Sequence, residues 1–495
     1  MRASVLGLLL ASSGLVGCAS HSAAAQGPFV SQAPAAANSA ASARELAPQG
    51  AAQDPPPPSP TATRPENPDG RWLSAATTSD FLLAGAFDQA FGVFIDVPKG
   101  AATGHVPTAL SLAIDTSGSM RGDKIVHARE AARRLVSELE DGDLLSIVTF
   151  ADRGRVRLAP VRIDPQTRRQ AVAIIEELSA DGGTAMHEGL KVAESQMWGT
   201  PETHLVRRMV VISDGKATEG PSSPPELGRI AEVGLQRGIQ VTSIGVGLDY
   251  DEATLNELAI RSSGRLYHVE HSEQLAGIVQ AEVALLEATA AAEVEVELVA
   301  APGVRLLGTD SARTRWDEGN LVVPIGAVFE GQQRELLVRA RVDHAEVGSK
   351  VLASVRMHFR DPAEDGLRRV QETILRATVT DDPSLVRAHT HSRTQTLVAM
   401  REASLLARNA SARANAGDLD QAEAELARAE QQLHAQAARA TSKTDRDRAT
   451  RQARKMAKTR KGLAKAKKKP AAARAKASRK AALEANDMAM DAMGF

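Results

Sequence analysis

Five oxygen-bearing side chains at three places in the sequence could bind a hard metal ion. Asp115, Ser117 and Ser119 alternate in one short segment, and Thr184 and Asp214 follow separately. Mg²⁺ and Mn²⁺ prefer carboxylate and hydroxyl oxygens. Zinc prefers histidine or thiolate, and neither lies in these segments. We therefore expect a Mg²⁺ or Mn²⁺ site, which two carboxylates would leave roughly neutral and still attractive to an acidic ligand. We call these five residues the candidate metal site.

The segments around the candidate metal site predict alternating strands and helices. Short apolar runs indicate buried parallel strands, and segments with helical spacing separate them. Strands are expected at 110–114, 144–150, 209–212, 241–246 and 266–269, and helices at 123–140, 168–178, 185–198, 225–236, 252–260 and 272–286. This alternation predicts a doubly wound α/β sheet, whose ligands bind at the carboxyl ends of the strands. All three segments of the site are placed in loops at that edge.

The candidate metal site resembles the metal-ion-dependent adhesion site of von Willebrand factor type A (VWA) domains. The strings at 113–120 (AIDTSGSM) and 210–215 (VVISDG) are also similar to that family, and the resemblance covers about residues 108–287. It implies a Rossmann-like domain that binds a protein ligand through a metal ion. In some members of the family the last helix, here 272–286, shifts when ligand binds.

The resemblance also implies a role for each residue of the site. Ser117 and Ser119 would bind the metal directly, and Thr184 would do so when ligand is present. Asp115 and Asp214 would act largely through water, or directly in a closed state, and an Asp or Glu carboxylate of the ligand would take the open octahedral position. The alternative is a site that mainly holds its loops together.

Catalysis is not expected from these residues. A serine nucleophile needs an adjacent base, and no histidine has an evident place beside Ser117 or Ser119. The sequence has no Gly-rich phosphate loop ending in Lys-Ser or Lys-Thr. We therefore predict a binding module and not an enzyme.

The amino end predicts a lipid anchor. Residues 5–16 are mostly apolar and too few to span a bilayer comfortably, and residues 15–18 (LVGC) resemble a bacterial lipoprotein lipobox. The resemblance implies a signal peptide at 1–18 and a diacylglyceryl thioether on Cys18, the only cysteine in the chain. Because Ala19 follows instead of Asp, it implies the outer membrane, on its periplasmic face or at the cell surface. The alternative is a plain signal peptide with an incidental cysteine.

Residues on both sides of the central domain predict further parts of a cell-envelope protein. Residues 19–70 are rich in Ala, Ser, Gln and Pro, which predicts a disordered tether. Alternating apolar residues predict an antiparallel β-sandwich at 290–382. We hypothesise that strand-like runs in 71–107 join this sandwich, so that the domain at 108–287 is an insert; the alternative is a free leading strand. Residues 383–440 predict a helical hairpin.

The net charge of −1 is an average over two unlike parts of the chain. Residues 441–480 contain 17 Lys or Arg and 2 Asp, a net charge of +15, and the rest of the chain carries −16. Residues 441–495 are expected to form a basic arm and a terminal helix. The arm is interpreted first as a solvated helix or disordered segment, and next as a contact for anionic lipid or another polyanion. Nucleic acid is disfavoured because the segment has no aromatic residue to stack on bases.

A second interpretation of the whole chain remains open. It is a structural or scaffold envelope lipoprotein whose basic arm makes the main contacts and whose metal is structural.

Overall fold

The computed structural model describes residues 71–493, apart from residues 86, 103, 248, 272, 310–313 and 344–345. The predicted signal peptide, Cys18 and the tether at 19–70 lie outside the described residues. Within the described part of the chain, no helix is both long enough and apolar enough to cross a membrane.

Three strands lead into an α/β domain. The leading strands are β1 (Leu73–Thr77), β2 (Phe81–Leu83) and β3 (Asp88–Asp96). The strands of the domain are β4 (Thr108–Asp115), β5 (Leu144–Phe150), β6 (Gly154–Arg162), β7 (Val206–Ser213), β8 (Ile239–Val246) and β9 (Arg265–Val269). Its helices are α1 (Asp123–Glu138), α2 (Pro165–Glu176), α3 (Met186–Ser195), α4 (Pro224–Leu235), α5 (Glu252–Arg261) and α6 (Glu273–Glu287).

The domain is a single sheet with helices on both faces. Its strand order is β6-β5-β4-β7-β8-β9, and neighbours are parallel except for β5 and β6. Alternate residues of β4 face opposite sides: Leu112 and Ile114 share a core with α1, α2 and α6, whereas Ala113 shares one with α3, α4 and α5. The predicted doubly wound fold is confirmed.

Strand β6 was not predicted. Most of its residues are exposed, it contains Pro160, and it pairs with a single neighbour at the edge of the sheet. Proline and charged residues are tolerated on edge strands, where the free hydrogen-bonding groups face water. Only Leu158 in this strand is buried, which leaves no apolar alternation for a sequence pattern to detect.

A pair of sheets flanks the domain, and all of their neighbouring strands are antiparallel except β16 and β2, which are parallel. The strands that follow it are β10 (Thr289–Ala300), β11 (Val304–Thr309), β12 (Arg315–Asp317), β13 (Asn320–Phe329), β14 (Gln333–Val342), β15 (Gly348–Asp361) and β16 (Leu367–Thr380). The sheets have the orders β1-β3-β14-β11 and β12-β13-β10-β15-β16-β2. Val93 and Ile95 of β3 share a core with Val296 and Leu298 of β10. The leading segment therefore contributes strands to both sheets, and the chain leaves and re-enters them around the α/β domain.

Helices complete the fold at the carboxyl end. They are α7 (Pro383–Ala388), α8 (Ser392–Asn415), α9 (Leu419–Arg439), α10 (Lys443–Lys467) and α11 (Ala471–Met493). The four long helices share one alanine-rich core, which includes buried Leu426 of α9, Met456 and Leu463 of α10, and Ala482 of α11. The predicted hairpin is thus half of a four-helix bundle.

Residues 441–480 differ from the free arm or solvated helix expected from their charge. They lie in α10 and the first part of α11, and α10 packs into the bundle core. Some of their charge is neutralised within the bundle: Lys467 pairs with Asp420 and Glu423, and Arg460 with Glu430, all on α9. Buried apolar side chains and ion pairs to an acidic neighbour therefore hold the basic helix in place.

The bundle is anchored to the sandwich at Arg393 of α8. Its two Nη atoms donate to the Asp96 carboxylate at 2.6 and 2.9 Å, and its Nε donates to Glu335 at 2.9 Å. The guanidinium also lies 4.1 Å from the ring centroid of Phe94. Arg448 of α10 donates to the same Glu335, so two helices of the bundle meet one carboxylate of β14.

Candidate metal site

The three segments of the candidate metal site meet at the carboxyl edge of the sheet. Asp115 is the last residue of β4, and Asp214 follows β7 directly. These strands are parallel neighbours that pair as far as Ile114 and Ile212, so the two aspartates leave adjacent strand ends. The third segment is the loop before α3, and it contains Thr184.

Backbone hydrogen bonds fasten the Thr184 loop to the Asp115 loop. The N–H of Gly118 donates to Gly182 O at 2.9 Å, and the N–H of Asp181 donates to Thr116 O at 2.8 Å. Thr184 is buried, and its N–H donates to the Thr218 hydroxyl at 2.8 Å. The positions of all three segments are therefore set by the fold itself.

Asp115 is fully buried, and both of its carboxylate oxygens accept hydrogen bonds. Oδ1 accepts from the Ser117 N–H at 2.8 Å, and Oδ2 accepts from the Ser213 hydroxyl at 2.5 Å. Burial raises the pKa of Asp115 to about 6, although the hydrogen bonds from Ser117 and Ser213 oppose that rise. The charge of nearby Asp214 contributes to this rise. The arrangement is compatible with a carboxylate that reaches a cation through water.

The spacing of the serine hydroxyls suits a small octahedral cation. Ser117 Oγ and Ser119 Oγ lie 3.1 Å apart. Adjacent oxygen ligands on Mg²⁺, each about 2.1 Å from the ion, are separated by about 3.0 Å. Ser117 is buried and Ser119 is exposed, so the pair leads from the interior to the surface. The residues present therefore fit Mg²⁺ or Mn²⁺ by oxygen type and by this spacing.

Carboxylates and hydroxyls must act together at this site. Among the described residues, no three or more His, Cys, Asp or Glu side chains are grouped in a way that could hold a metal ion. The candidate metal site has two carboxylates, and its remaining ligands would be the hydroxyls of Ser117, Ser119 and Thr184.

Lys124 is a charged residue at the site that sequence analysis missed. Its Nζ, in the first turn of α1, donates to Asp214 Oδ2 at 2.8 Å, and Asp214 is fully buried. Together with the two carboxylates, this ammonium gives a formal charge of −1. A bound dication would make it +1, not the near neutrality expected from the carboxylates alone, and so would attract an acidic ligand more strongly. In the sequence, the one feature that could have pointed to Lys124 is its position at the start of the helix that follows the Asp115 loop.

Other supporting residues were also missed. Ser213 and Thr218 bond to Asp115 and Thr184 as described above, and the N–H of Asp251 donates to Asp214 O at 2.6 Å. Gly215 has a φ of +71°, and a Cβ there would lie 2.9 Å from Asp251 O. The residue after Asp214 must therefore be glycine, both for its left-handed backbone and for this close approach.

Comparison with known proteins identifies the domain that holds the site. Residues 110–281 match the family model for the von Willebrand factor type A domain. The structure of a von Willebrand factor type A protein from Catenulispora acidiphila superposes with a TM-score of 0.68 at 22% identity, covering 85% of this chain and 97% of that one. That likeness shows the fold alone. The resemblance predicted from the sequence is confirmed for this part of the chain.

Two curated relatives match part of the chain. An uncharacterized protein of Synechocystis is 28% identical over 276 residues, 52% of this chain and 63% of that protein. The E3 ubiquitin-protein ligase WAV3 of Arabidopsis thaliana is 25% identical over 263 residues, 52% of this chain and 34% of that protein. The chain thus spans less than two thirds of the length of either relative.

Proposed function

We propose that this chain, which contains a von Willebrand factor type A domain at residues 110–281, binds a protein partner through Mg²⁺ held at the candidate metal site. VWA domains commonly bind divalent metals and mediate protein–protein interaction. The observation that supports the proposal most is the convergence of buried Asp115 and Asp214 with the hydroxyl pair Ser117 and Ser119 at an exposed edge. Mn²⁺ would suit the same oxygen ligands.

The ligand is an Asp or Glu carboxylate of the partner. Ser117, Ser119 and Thr184 would hold the cation directly, and the two aspartates would stabilise it through water. When bound, the ion supplies a coordination position and positive charge for an incoming carboxylate. Lys124 keeps the site from being overly negative before a ligand arrives, since it already neutralises Asp214.

We do not assign catalysis to this site. The Ser213 hydroxyl donates to the Asp115 carboxylate, and both residues are 0% exposed. No substrate could reach that hydroxyl without opening the sheet edge. The ligase activity in the name of the Arabidopsis relative belongs to that protein, of which the similarity covers 34%.

The proposal includes attachment to the cell envelope through Cys18, supported by the lipobox at residues 15–18. Acyl chains give durable anchoring because each buried methylene contributes about 0.8 kcal/mol. We expect cells fed a labelled fatty acid to label the wild-type protein and not Cys18→Ala. Outer-membrane fractionation of the labelled protein would test its destination, and label that persists in the variant would contradict the anchor.

We expect crosslinking in intact cells to capture a partner in Mg²⁺ and to lose it in excess chelator. Adding back Mg²⁺ or Mn²⁺ should restore capture, because both ions suit oxygen ligands. Mass spectrometry of the captured band would identify the partner. Capture that is equally strong in chelator would contradict a metal bridge.

The alternative function, a scaffold that acts through its basic helix, needs a different variant. Deleting residues 441–480 would remove α10 from the bundle core. The bundle would then unfold, and the deletion could not test the basic residues alone. Arg454, Lys458 and Lys461 are exposed and follow helical spacing on α10. Capture that survives chelator but is lost when these three are changed to Gln would favour the scaffold.

A further inference from the structure

A groove with positive charge lies between the α/β domain and the helical bundle. It has a volume of about 760 Å³. The charged residues that line it are Asp249, from the loop between β8 and α5, and Arg474, Lys476 and Arg479 of α11. Their formal charge is +2, in a chain whose net charge is −1. We call this the basic groove.

One short loop joins the basic groove to the candidate metal site. Asp249 lines the groove, and Asp251, two residues later, donates its N–H to Asp214 O at 2.6 Å. Consecutive Cα atoms are about 3.8 Å apart, so the Cα atoms of Asp249 and Asp251 are within about 8 Å of each other. The Asp249 Cα therefore lies within roughly 12 Å of Asp214 O, along the same carboxyl edge of the sheet.

Helix α11 is fixed against this loop. Arg479 donates to Tyr250 O, and its guanidinium lies 5.7 Å from the centroid of the Tyr250 ring. Farther along the same interface, the side chains of Asn256 and Asn486 exchange hydrogen bonds of 2.6 and 3.1 Å. The relative positions of the groove and the metal site are thus set by specific contacts.

The cations of the groove have different roles. Arg479 is half-buried, and besides Tyr250 it contacts Asn415 at 2.8 Å and Glu252 at 3.5 Å, so it positions the helix. Arg474 and Lys476 are exposed. They are the groups that could meet a ligand carboxylate without breaking the docking of α11.

We propose that the basic groove binds a second acidic side chain of the same partner segment whose first carboxylate coordinates the metal ion. The occupant is an extended, acidic protein segment. Strand-like chain advances about 3.3 Å per residue, so acidic residues three or four positions apart would span about 10–13 Å. A metal-loaded site of +1 and a groove of +2 attract the same sign of charge. This inference rests on the proposed function and adds the partner's acidic pattern to it.

The test uses two fluorescein-labelled octapeptides of Gly and Ser, one with a single Glu and one with two Glu four positions apart. Both are titrated onto the purified full-length protein in Mg²⁺. We expect the peptide with two Glu to bind about three- to tenfold more tightly at low salt, because exposed ion pairs are individually weak. The difference should disappear at high ionic strength, where such pairs are screened.

Charge reversal on α11 provides the decisive variant. Arg474→Glu with Lys476→Glu should remove the advantage of the second Glu and leave Mg²⁺ affinity and the circular dichroism spectrum unchanged. Arg454→Glu with Lys458→Glu makes the same charge change on exposed positions of α10 and should keep most of the advantage. Equal loss in both variants would show a non-specific charge effect and overturn the proposal.

The outcomes separate this inference from the proposed function. Mg²⁺-dependent binding of the peptide with one Glu, without any gain from the second Glu, would overturn the groove and leave the proposed function standing. Peptide binding that persists in chelator would contradict the proposed function itself. Mg²⁺-independent binding of a single-stranded oligonucleotide or of phosphatidylglycerol vesicles, lost in the α11 variant, would assign the groove to another polyanion and overturn the acidic segment.

Discussion

Glu282→Ala is expected to lower the free energy of unfolding by about 3–5 kcal/mol, the usual cost of leaving one charge of a buried pair without its partner. Glu282 of α6 is buried, and its Oε2 accepts from Arg208 Nη1 at 2.9 Å and from the Thr242 hydroxyl at 2.8 Å. Its Oε1 accepts from the Tyr267 hydroxyl at 2.7 Å. One carboxylate therefore ties the last helix of the domain to β7, β8 and β9.

Denaturant unfolding would measure this loss. Glu282→Gln should lose less than Glu282→Ala, since an amide can keep part of the hydrogen bonding while leaving Arg208 without a counter-charge. Glu287→Ala, at an exposed position on the same helix, is the matched control and should change stability by less than about 0.5 kcal/mol. Similar values for Glu282→Ala and Glu287→Ala would contradict the role given to this pair.

The same contact limits how the domain could respond to a ligand. Helix α6 ends at Glu287, and β10 of the sandwich begins at Thr289, so a shift of α6 would be transmitted directly to that sheet. Such a shift would have to break the bonds of Glu282 to Arg208 and Tyr267. Burial, and after it the charge of Glu282, raises the pKa of Tyr267, so its hydroxyl stays protonated as the donor. If α6 moves at all, the Glu282 variants should make it move more readily.

The α/β domain was predictable because its strands carry strong local signals. The apolar run predicted at 110–114 lies inside β4, which extends over Thr108–Asp115 and is buried throughout.

The environment of α10 was not predictable in the same way. Its buried residues, including Ala453, Met456 and Leu463, are mostly small or widely spaced among Lys and Arg. Alanine contributes little to an apolar pattern. The positive charge of α10 is partly paired with acidic residues of α9, and this pairing is visible only in the structure.

For the candidate metal site, the sequence supplies the residue types but not their electrostatic surroundings. Loops at the strand ends place Asp115, Thr184 and Asp214 at one edge because parallel strands end together. The contact of Lys124 with Asp214 depends on the orientation of α1, and the docking of α11 beside Asp251 depends on packing between separate domains. Neither the Lys124 contact nor the docking of α11 can be read from a local sequence pattern.

Asp115→Asn is expected to abolish the stabilisation of the protein by Mg²⁺. Burial holds the pKa of Asp115 at about 6, above its ordinary value of 3.8, and a rise of that size corresponds to about 3 kcal/mol. Because the folded-state pKa is raised, the metal-free protein should lose stability as pH rises from about 4 to 6, and the full penalty should be present at pH 7. The variant removes this penalty together with the charge that attracts the metal.

We therefore expect Mg²⁺ to reverse which of the two proteins, wild type or Asp115→Asn, is the more stable. Without Mg²⁺ at pH 7, Asp115→Asn should be at least as stable as the wild type, because its amide can still accept from the Ser117 N–H. With free Mg²⁺ at about 100 times its Kd, the wild type should gain about 2.7 kcal/mol and the variant should gain nothing. Asp123→Asn removes an exposed carboxylate nearby that is not in the site and should keep the gain. Thermal unfolding with and without Mg²⁺ measures all three proteins, and an equal gain for Asp115→Asn would show that Asp115 does not help to hold the metal.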